Sequence, residues 1–403
     1  MNYYFPHITN INDVLPFIEG RDEFRVMKKD WYTAVNYAVA FEDTFQWDDN
    51  DYGGSVVRRE CRGLIFDTAT GNLISRPYHK FFNAGEKDET QLDKINLHEP
   101  HVVLEKLDGS MIRPIPTPEG FVLATKAGVT DIAQQAEKFI SDNWIPTNEL
   151  YKPYHMFINL CISQETTPIF EWCSRKNRIV IDYPEDQLIL TGIRYNNTGA
   201  YVEYESMKNS ASHFNIPVVK AIAGGDDNDI QKIVDHIRKW DDGEGVVIRF
   251  DSGHMLKIKA DDYVLRHKSK ESINQEKNVI QLVLNDAVDD MIPLLTKEDA
   301  ERLKNFQKAF WDSVTHTVMD MNDLYNAGST MYPDQKDFAV NFVQKMILPF
   351  HAPIMYAIRG GRPTMEVITE MIRKSLTSQT KVNDNRWLWG NLDWNYSNVN
   401  AGE

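Results

Sequence analysis

Along its 403 residues the chain carries two kinds of hydrophobic pattern. Up to about residue 260, short runs rich in β-branched and aromatic side chains recur: Gly63–Phe66, Val102–Leu104, Gly120–Ala124, Ile169–Trp172, Leu188–Tyr195, Gly245–Phe250 and Met255–Ile258. Turn signals such as Asp67–Gly71 and Asn196–Gly199 separate several of them, which is the pattern of strands. Asp131–Trp144 and Asp229–Trp240 instead place apolar residues at helical spacing. Beyond about residue 270 the β-like alternation stops. Val279–Leu295, Lys297–Leu324, Lys336–Ile358 and Thr364–Leu376 all read as helices, with Ala327–Gln335 as a Gly/Ser/Pro loop between them. The shift falls in the polar stretch Lys268–Lys277 and predicts a mixed α and β domain over residues 1–268, followed by a helical domain over 269–403. The tail Ser378–Glu403, rich in Asn and Trp, is expected to be only partly ordered.

Composition narrows the class. The length suits two or three domains, each able to bury a core. No apolar stretch approaches the roughly 20 residues of a membrane helix; the nearest, Ile347–Ile358, is broken by His351 and two prolines. The N-terminus has neither a basic start nor an apolar core, so no secretion signal is expected. Three cysteines without metal-ligand spacing point to a reduced, cytoplasmic protein. A net charge of −15 counts against non-specific coating of nucleic acid, although it leaves room for a local basic groove. The basic run Lys257, Lys259, Arg266, Lys268 and Lys270, with His267 among them, is by itself no more than a solvated face.

The sharpest chemical feature is Lys106-Leu107-Asp108-Gly109-Ser110, directly after the apolar run Val102–Leu104. A lysine at a strand end, followed by a tight Asp-Gly turn, presents an amine on a fixed support; the same pair also suits a surface hairpin. Downstream stand Phe170-Glu171-Trp172, Asp242-Gly243-Glu244-Gly245, and Leu256-Lys257-Ile258-Lys259. Each is a strand-like segment bearing a charge that a buried strand would not tolerate unpaired.

In order and spacing these motifs resemble the covalent nucleotidyltransferase superfamily of ligases and capping enzymes. The flanks are closer still to the ATP-dependent tRNA-repair RNA ligases of T-even bacteriophages: Glu60-Cys61-Arg62-Gly63, Arg76-Pro77, Lys80-Phe81-Phe82-Asn83, Asn177–Val180, Ile193-Arg194 and Tyr263-Val264. The basic motif after the nucleophile stands here as Thr125-Lys126-Ala127-Gly128, displaced by one residue. The resemblance covers about residues 58–270, and the helical part more loosely. It implies an α+β nucleotidyltransferase (ATP-grasp-like ligase) domain with antiparallel sheets and an all-helical C-terminal RNA-specificity domain. Lys106 would be the nucleophile, Glu171 a ribose contact, Glu244 a ligand for Mg²⁺ (with Mn²⁺ as a substitute), and Lys257 and Lys259 phosphate contacts. Arg62 and Lys80 would grip the ATP β,γ-phosphates or the RNA 5′-phosphate, and Lys126 would be a further cofactor-binding residue. The implied partners are RNA 5′-phosphate and 3′-hydroxyl ends, with the broken anticodon loop of a tRNA as the natural case, in a phage-infected bacterial cytoplasm; no membrane partner is implied and the oligomeric state is open.

Elementary chemistry is consistent with these roles. A lysine amine attacks phosphorus only when neutral, which a free pKa of ~10.4 opposes near neutrality. Surrounding cations, here Lys257, Lys259 and Arg62 together with Mg²⁺, lower that barrier. Rival readings are a DNA ligase or capping enzyme, which would need barrel strands after the late lysines, and a catalytically dead nucleotide or RNA sensor. His267 is expected to be structural, Asp289-Asp290 an acidic pair opening a helix, and Trp387, Trp389 and Trp394 packed side chains rather than base-stacking ones.

Overall fold

The computed structural model describes residues 3–41, 43–142, 152–222 and 229–394. Two compact units result, the first ending at Val264 and the second beginning at Leu265.

Three four-stranded sheets build the first unit. β1 (Phe24–Lys28), β2 (Tyr32–Tyr37), β3 (Arg62–Asp67) and β4 (Leu73–Ser75) pair in that order, all antiparallel. Sheet two contains β7 (Ser110–Thr117), β8 (Gly120–Ala124), β9 (Thr166–Cys173) and β10 (Gln187–Tyr195), in the order β10-β9-β7-β8. Sheet three contains β5 (Phe82–Asn83), β6 (His101–Glu105), β11 (Gly245–Phe250) and β12 (Met255–Lys259), in the order β5-β12-β11-β6. The pair β5–β12 alone among the described strand pairs is parallel. Helices α1 (Tyr52–Glu60), α2 (Asp131–Asp142), α3 (Pro153–Ser163), α4 (Tyr204–Ser212) and α5 (Ile230–Arg238) complete the unit, and α6 (Asp261–Ile273) begins in it. Every predicted strand lies inside one of these elements. The two predicted helices become α2, with residues 143 and 144 outside the described residues, and α5, whose N-cap Asp229 side chain accepts from the Gln231 amide.

Strands absent from the sequence reading have specific disguises. β2 is buried at every position from Tyr32 to Asn36, so it shows no alternation. β7 contains Pro114 and Pro116, which argue against a central strand. Its pairing with β9 stops at Ile112, however, and beyond that point β7 has ladder bonds only with β8 while the Pro114 carbonyl accepts from the Ser75 hydroxyl at 2.8 Å, so the missing amides cost no ladder bond on that side.

Several quoted sequence motifs prove structural. Glu60, Arg76 and Arg194 form a fully buried triad: Arg194 donates to both Glu60 oxygens at 2.7 and 2.8 Å, and Arg76 Nε donates at 3.1 Å. Burial alone would raise the Glu60 pKa, but the Arg194 and Arg76 guanidiniums outweigh it and hold the carboxyl at about 2.

The second unit is helical: α7 (Glu276–Leu284), α8 (Val288–Met291), α9 (Lys297–Met331) and further helices including Ala352–Arg359 and Thr364–Ser375 surround Phe310, Phe338, Ile354, Ile368 and Trp389. Three expectations are corrected. Val279–Leu295 is two helices, because Asp286 adopts φ 55° and turns the chain. Ala327–Gln335 is not a loop: α9 runs through it to Met331, since a side chain at Gly328 would collide with Phe342, and this close packing outweighs glycine's poor propensity. Lys336–Ile358 is interrupted by a π-helical turn at Phe338–Val343 and by a break at 347–351, next to Pro349 and Pro353. Asp289 and Asp290 sit in the first turn of α8. In the tail, Trp389 and Trp394 are buried and Trp387 packs partly against the core, while residues 395–403 lie outside the described residues. No helix among the described residues is long and apolar enough to cross a membrane.

Candidate active site

The site lies where the second and third sheets face one another. β6 delivers Lys106 at its end, and the Lys106 amide donates to the Gly245 carbonyl at 2.9 Å, anchoring the lysine beside β11. Gly245 has φ 138°, and a Cβ there would lie 2.0 Å from the Ile258 carbonyl oxygen; only glycine lets β11 start this close to β12. That approach places Glu244 between two lysines. Its buried carboxylate is 2.7 Å from Lys106 Nζ and 3.0 Å from Lys259 Nζ.

The Asp-Gly turn is held from three sides. Asp108 Oδ2 accepts from the amides of Val180 and Ile181, each at 2.7 Å, and Oδ1 accepts from the Tyr263 hydroxyl at 2.7 Å. The Asp108 amide donates to the Tyr183 hydroxyl at 2.9 Å. This buried residue is therefore a fixed clamp on the Lys106 turn, and Val180 of the Asn177–Val180 motif is one of the residues that close over it.

A cavity of about 260 Å³ opens beside Lys106. It is lined by Glu105, Leu107, Glu171, Val247 and Arg62, with Tyr78 and Phe81 adding aromatic walls. An apolar slot ending at a lysine and a carboxylate has the chemistry of a nucleoside site. Burial pushes the Glu171 pKa up to about 7; Lys106 pulls it down and Glu244 adds to the rise.

Cations gather on one side of the site. Burial, then Lys80, Lys106 and Lys259, push the Lys257 ammonium down to about 7. The expected cation field thus acts clearly on Lys257, whereas Lys106 is met by the Glu244 carboxylate. Arg62, Lys80 and Lys126 converge on Tyr37, with the Lys126 and Lys80 ammoniums 4.2 and 5.2 Å from its ring centre. Burial would raise the Tyr37 phenol, but Lys80, Arg62 and Lys126 outweigh it and lower its pKa. Burial lowers Lys126, with Arg62 and Lys80 adding to the effect. Lys126 reaches this cluster from a tight Thr125–Gly128 turn, so its one-residue displacement in sequence still leads to the same place as Arg62 and Lys80. His267 stands 3.7 Å from Glu271 on α6, one turn along.

No group of three or more His, Cys, Asp or Glu side chains among the described residues could hold a metal ion. Mg²⁺ commonly keeps its waters and takes only one or two carboxylates plus substrate phosphates. Both oxygens of Glu244, the carboxylate expected from the sequence to hold it, are paired with ammoniums here. Tyr37 and Tyr183 were missed in the sequence, Tyr37 because its strand is disguised and Tyr183 because it lies in a loop without a motif.

Comparison with known proteins gives a consistent picture. Residues 60–274 match the family model described as RNA ligase, and residues 270–382 match that of the T4 RNA ligase 1 C-terminal domain. A protein of Thermovibrio ammonificans named "Putative RNA ligase" is 27% identical over 318 residues, covering 77% of this chain and 78% of its own length. A "Putative bifunctional polynucleotide kinase/RNA ligase" of Autographa californica nuclear polyhedrosis virus is 27% identical over 293 residues, 68% of this chain but 39% of that protein. Among solved structures, an archaeal ATP-dependent RNA ligase is similar with a TM-score of 0.41 at 14% identity, over 64% of each chain. A Naegleria gruberi RNA ligase variant with ATP and Mn gives 0.36 at 11% identity, over 62% of this chain and 94% of that one.

Proposed function

The chain belongs to the RNA ligase family, the T4 RNA ligase 1 type of ATP-dependent RNA-joining enzymes in the covalent nucleotidyltransferase superfamily, and from that premise we propose that it seals RNA through an adenylate carried on Lys106. In the first step Lys106 Nζ attacks the α-phosphorus of ATP; a P–N bond forms, the α–β P–O bond breaks and pyrophosphate leaves. An oxygen of an RNA 5′-phosphate then attacks the same phosphorus, freeing Lys106 and leaving adenylylated RNA. Finally an RNA 3′-hydroxyl attacks the 5′-phosphate, and AMP departs. Phosphoryl transfer of this kind needs mainly positioning and charge stabilisation.

The observation that carries this reading is Glu244, which holds Lys106 and Lys259 at 2.7 and 3.0 Å on either side of one carboxylate. The amine and a phosphate-binding cation are thereby set beside one another at the mouth of the Glu171 cavity. Mg²⁺ on Glu244 would supply positive charge against the triphosphate. Lys257, Lys80 and Arg62 supply fixed positive charge of their own, and Glu171 offers the ribose a carboxyl. Incubation with radiolabelled ATP and Mg²⁺ tests the reading: a labelled protein band is expected from the wild type and none from Lys106→Ala. A labelled Lys106→Ala band at normal yield would overturn the assignment.

The helical unit is the part proposed to recognise the RNA, with a broken tRNA anticodon loop as its target, since unstacked loop bases are the accessible part of RNA. It matches a family C-terminal domain and contains none of the charged motif residues. A chain ending near Lys270 should keep lysyl-AMP formation and lose its preference for nicked tRNA over an unstructured oligonucleotide in a competition assay. An unchanged preference would place substrate choice in the first unit.

A further inference from the structure

A second, larger cavity of about 770 Å³ adjoins the nucleoside slot, and Arg62, Gly109 and Met111 line both. Lys126 and Lys176 also line it, and Asp131 is the single acidic residue among its described lining residues. None of Lys80, Lys106, Lys257 and Lys259 does so. On its wall the Asn177 side-chain amide donates to Gln135 Oε1 at 2.6 Å, and among the described residues the Gln135 NH₂ and the Asn177 side-chain carbonyl have no other partner, so they can meet a base edge or a ribose hydroxyl. Asn177 is 7% exposed, so this amide pair is a built feature of the wall rather than two surface side chains.

We infer that this cavity seats the terminal nucleotide of the RNA strand that brings the 3′-hydroxyl, an inference that rests on the ligase reading above. Two phosphorus atoms react in turn, the α-phosphorus of ATP and then the RNA 5′-phosphorus, which the 3′-hydroxyl must reach. ATP takes the slot beside Lys106. The RNA 5′-phosphate must reach the adenylate from the side that pyrophosphate leaves, among Lys80, Lys257 and Lys259. The remaining reactant needs a separate seat that shares a wall with the first, and this cavity has that position. Its chemistry also suits a strand end whose reacting group is neutral. The amide pair and the Ser110 hydroxyl would meet the sugar and base, while Lys176 would meet the internucleotide phosphates that follow.

The sealing step alone reports this site. Pre-adenylylated RNA is supplied with a 3′-hydroxyl oligoribonucleotide, and the KM of the latter is measured for the wild type, Lys176→Ala and Gln135→Ala. Lys176 is exposed and Gln135 half-buried, and unfolding curves confirm that each variant is folded. Each substitution should raise the acceptor KM by about tenfold, the usual order for a lost charge-assisted or amide contact. Lysyl-AMP formation from ATP and AMP transfer to 5′-phosphorylated RNA should stay within about twofold. An unchanged acceptor KM overturns the assignment. So does a raised KM for the 5′-phosphorylated strand with a normal acceptor KM, which would give the cavity to the other RNA end. A wild type that forms no lysyl-AMP would instead defeat the ligase reading itself.

Discussion

Glu244 and Lys106 form a 2.7 Å ion pair at the end of two adjacent strands. The carboxylate is buried, and its second oxygen is taken by Lys259, so one residue orients both the amine proposed to attack and the proposed phosphate contact. Glu244→Ala should leave the fold intact and cut lysyl-AMP formation by about 10²–10³, as the loss of one preorganised electrostatic contact does. Single-turnover labelling with ATP measures it; near-normal rates would remove Glu244 from the chemistry.

Lys257, pushed down to about 7, should make nucleotide binding pH-dependent if it contacts the phosphates as proposed. Below that value the ammonium is charged and favours phosphates; above it the charge is lost. Affinity for a non-cleavable α,β-methylene ATP analogue should therefore weaken as pH rises through about 7, and Lys257→Arg should flatten the curve because arginine stays charged. Calorimetric titrations at several pH values would show it, and a wild-type affinity independent of pH would contradict the phosphate role.

Glu171, pushed up to about 7, affects stability with a definite sign. The folded protein holds this proton over a range where the unfolded chain, with a carboxyl near 4.5, has released it. Stability should fall as pH rises from about 4.5 to about 7, and Glu171→Gln should remove that part of the slope. Thermal unfolding of both proteins across this range is the check, with lysyl-AMP formation measured in parallel and expected to drop in the variant.

Glu60 acts in the opposite sense. Its carboxyl, held at about 2 by Arg194 and Arg76, contributes stability that is present above its unfolded value and lost as pH falls toward about 2. Glu60→Gln leaves two buried guanidiniums with backbone acceptors but without their counter-charge, and should cost about 3–5 kcal/mol, the range for breaking a buried ion pair from one side. Chemical denaturation measures the loss. A stability close to wild type would mean that the arginines find other acceptors.

The sequence by itself determined the division into a sheet-rich part and a helical part, the strands with ordinary patterning, and the chemically distinctive residues of the site. Those residues were legible because chemistry restricts what can stand at a strand end: a lysine before Asp-Gly, and carboxylates and lysines in runs that would otherwise be apolar. Only the tertiary structure decided which of them touch. Glu244 meets Lys106 and Lys259 because Gly245 lets β11 and β12 approach, a contact spanning 138 residues of chain that no local pattern encodes. Tyr37 joins Arg62, Lys80 and Lys126 from the end of a strand whose other residues are all buried and so show no alternation. The helix through Gly328 likewise follows from the Phe342 ring packed against it, because local propensity is worth about 1 kcal/mol per glycine and a buried aromatic contact is worth more.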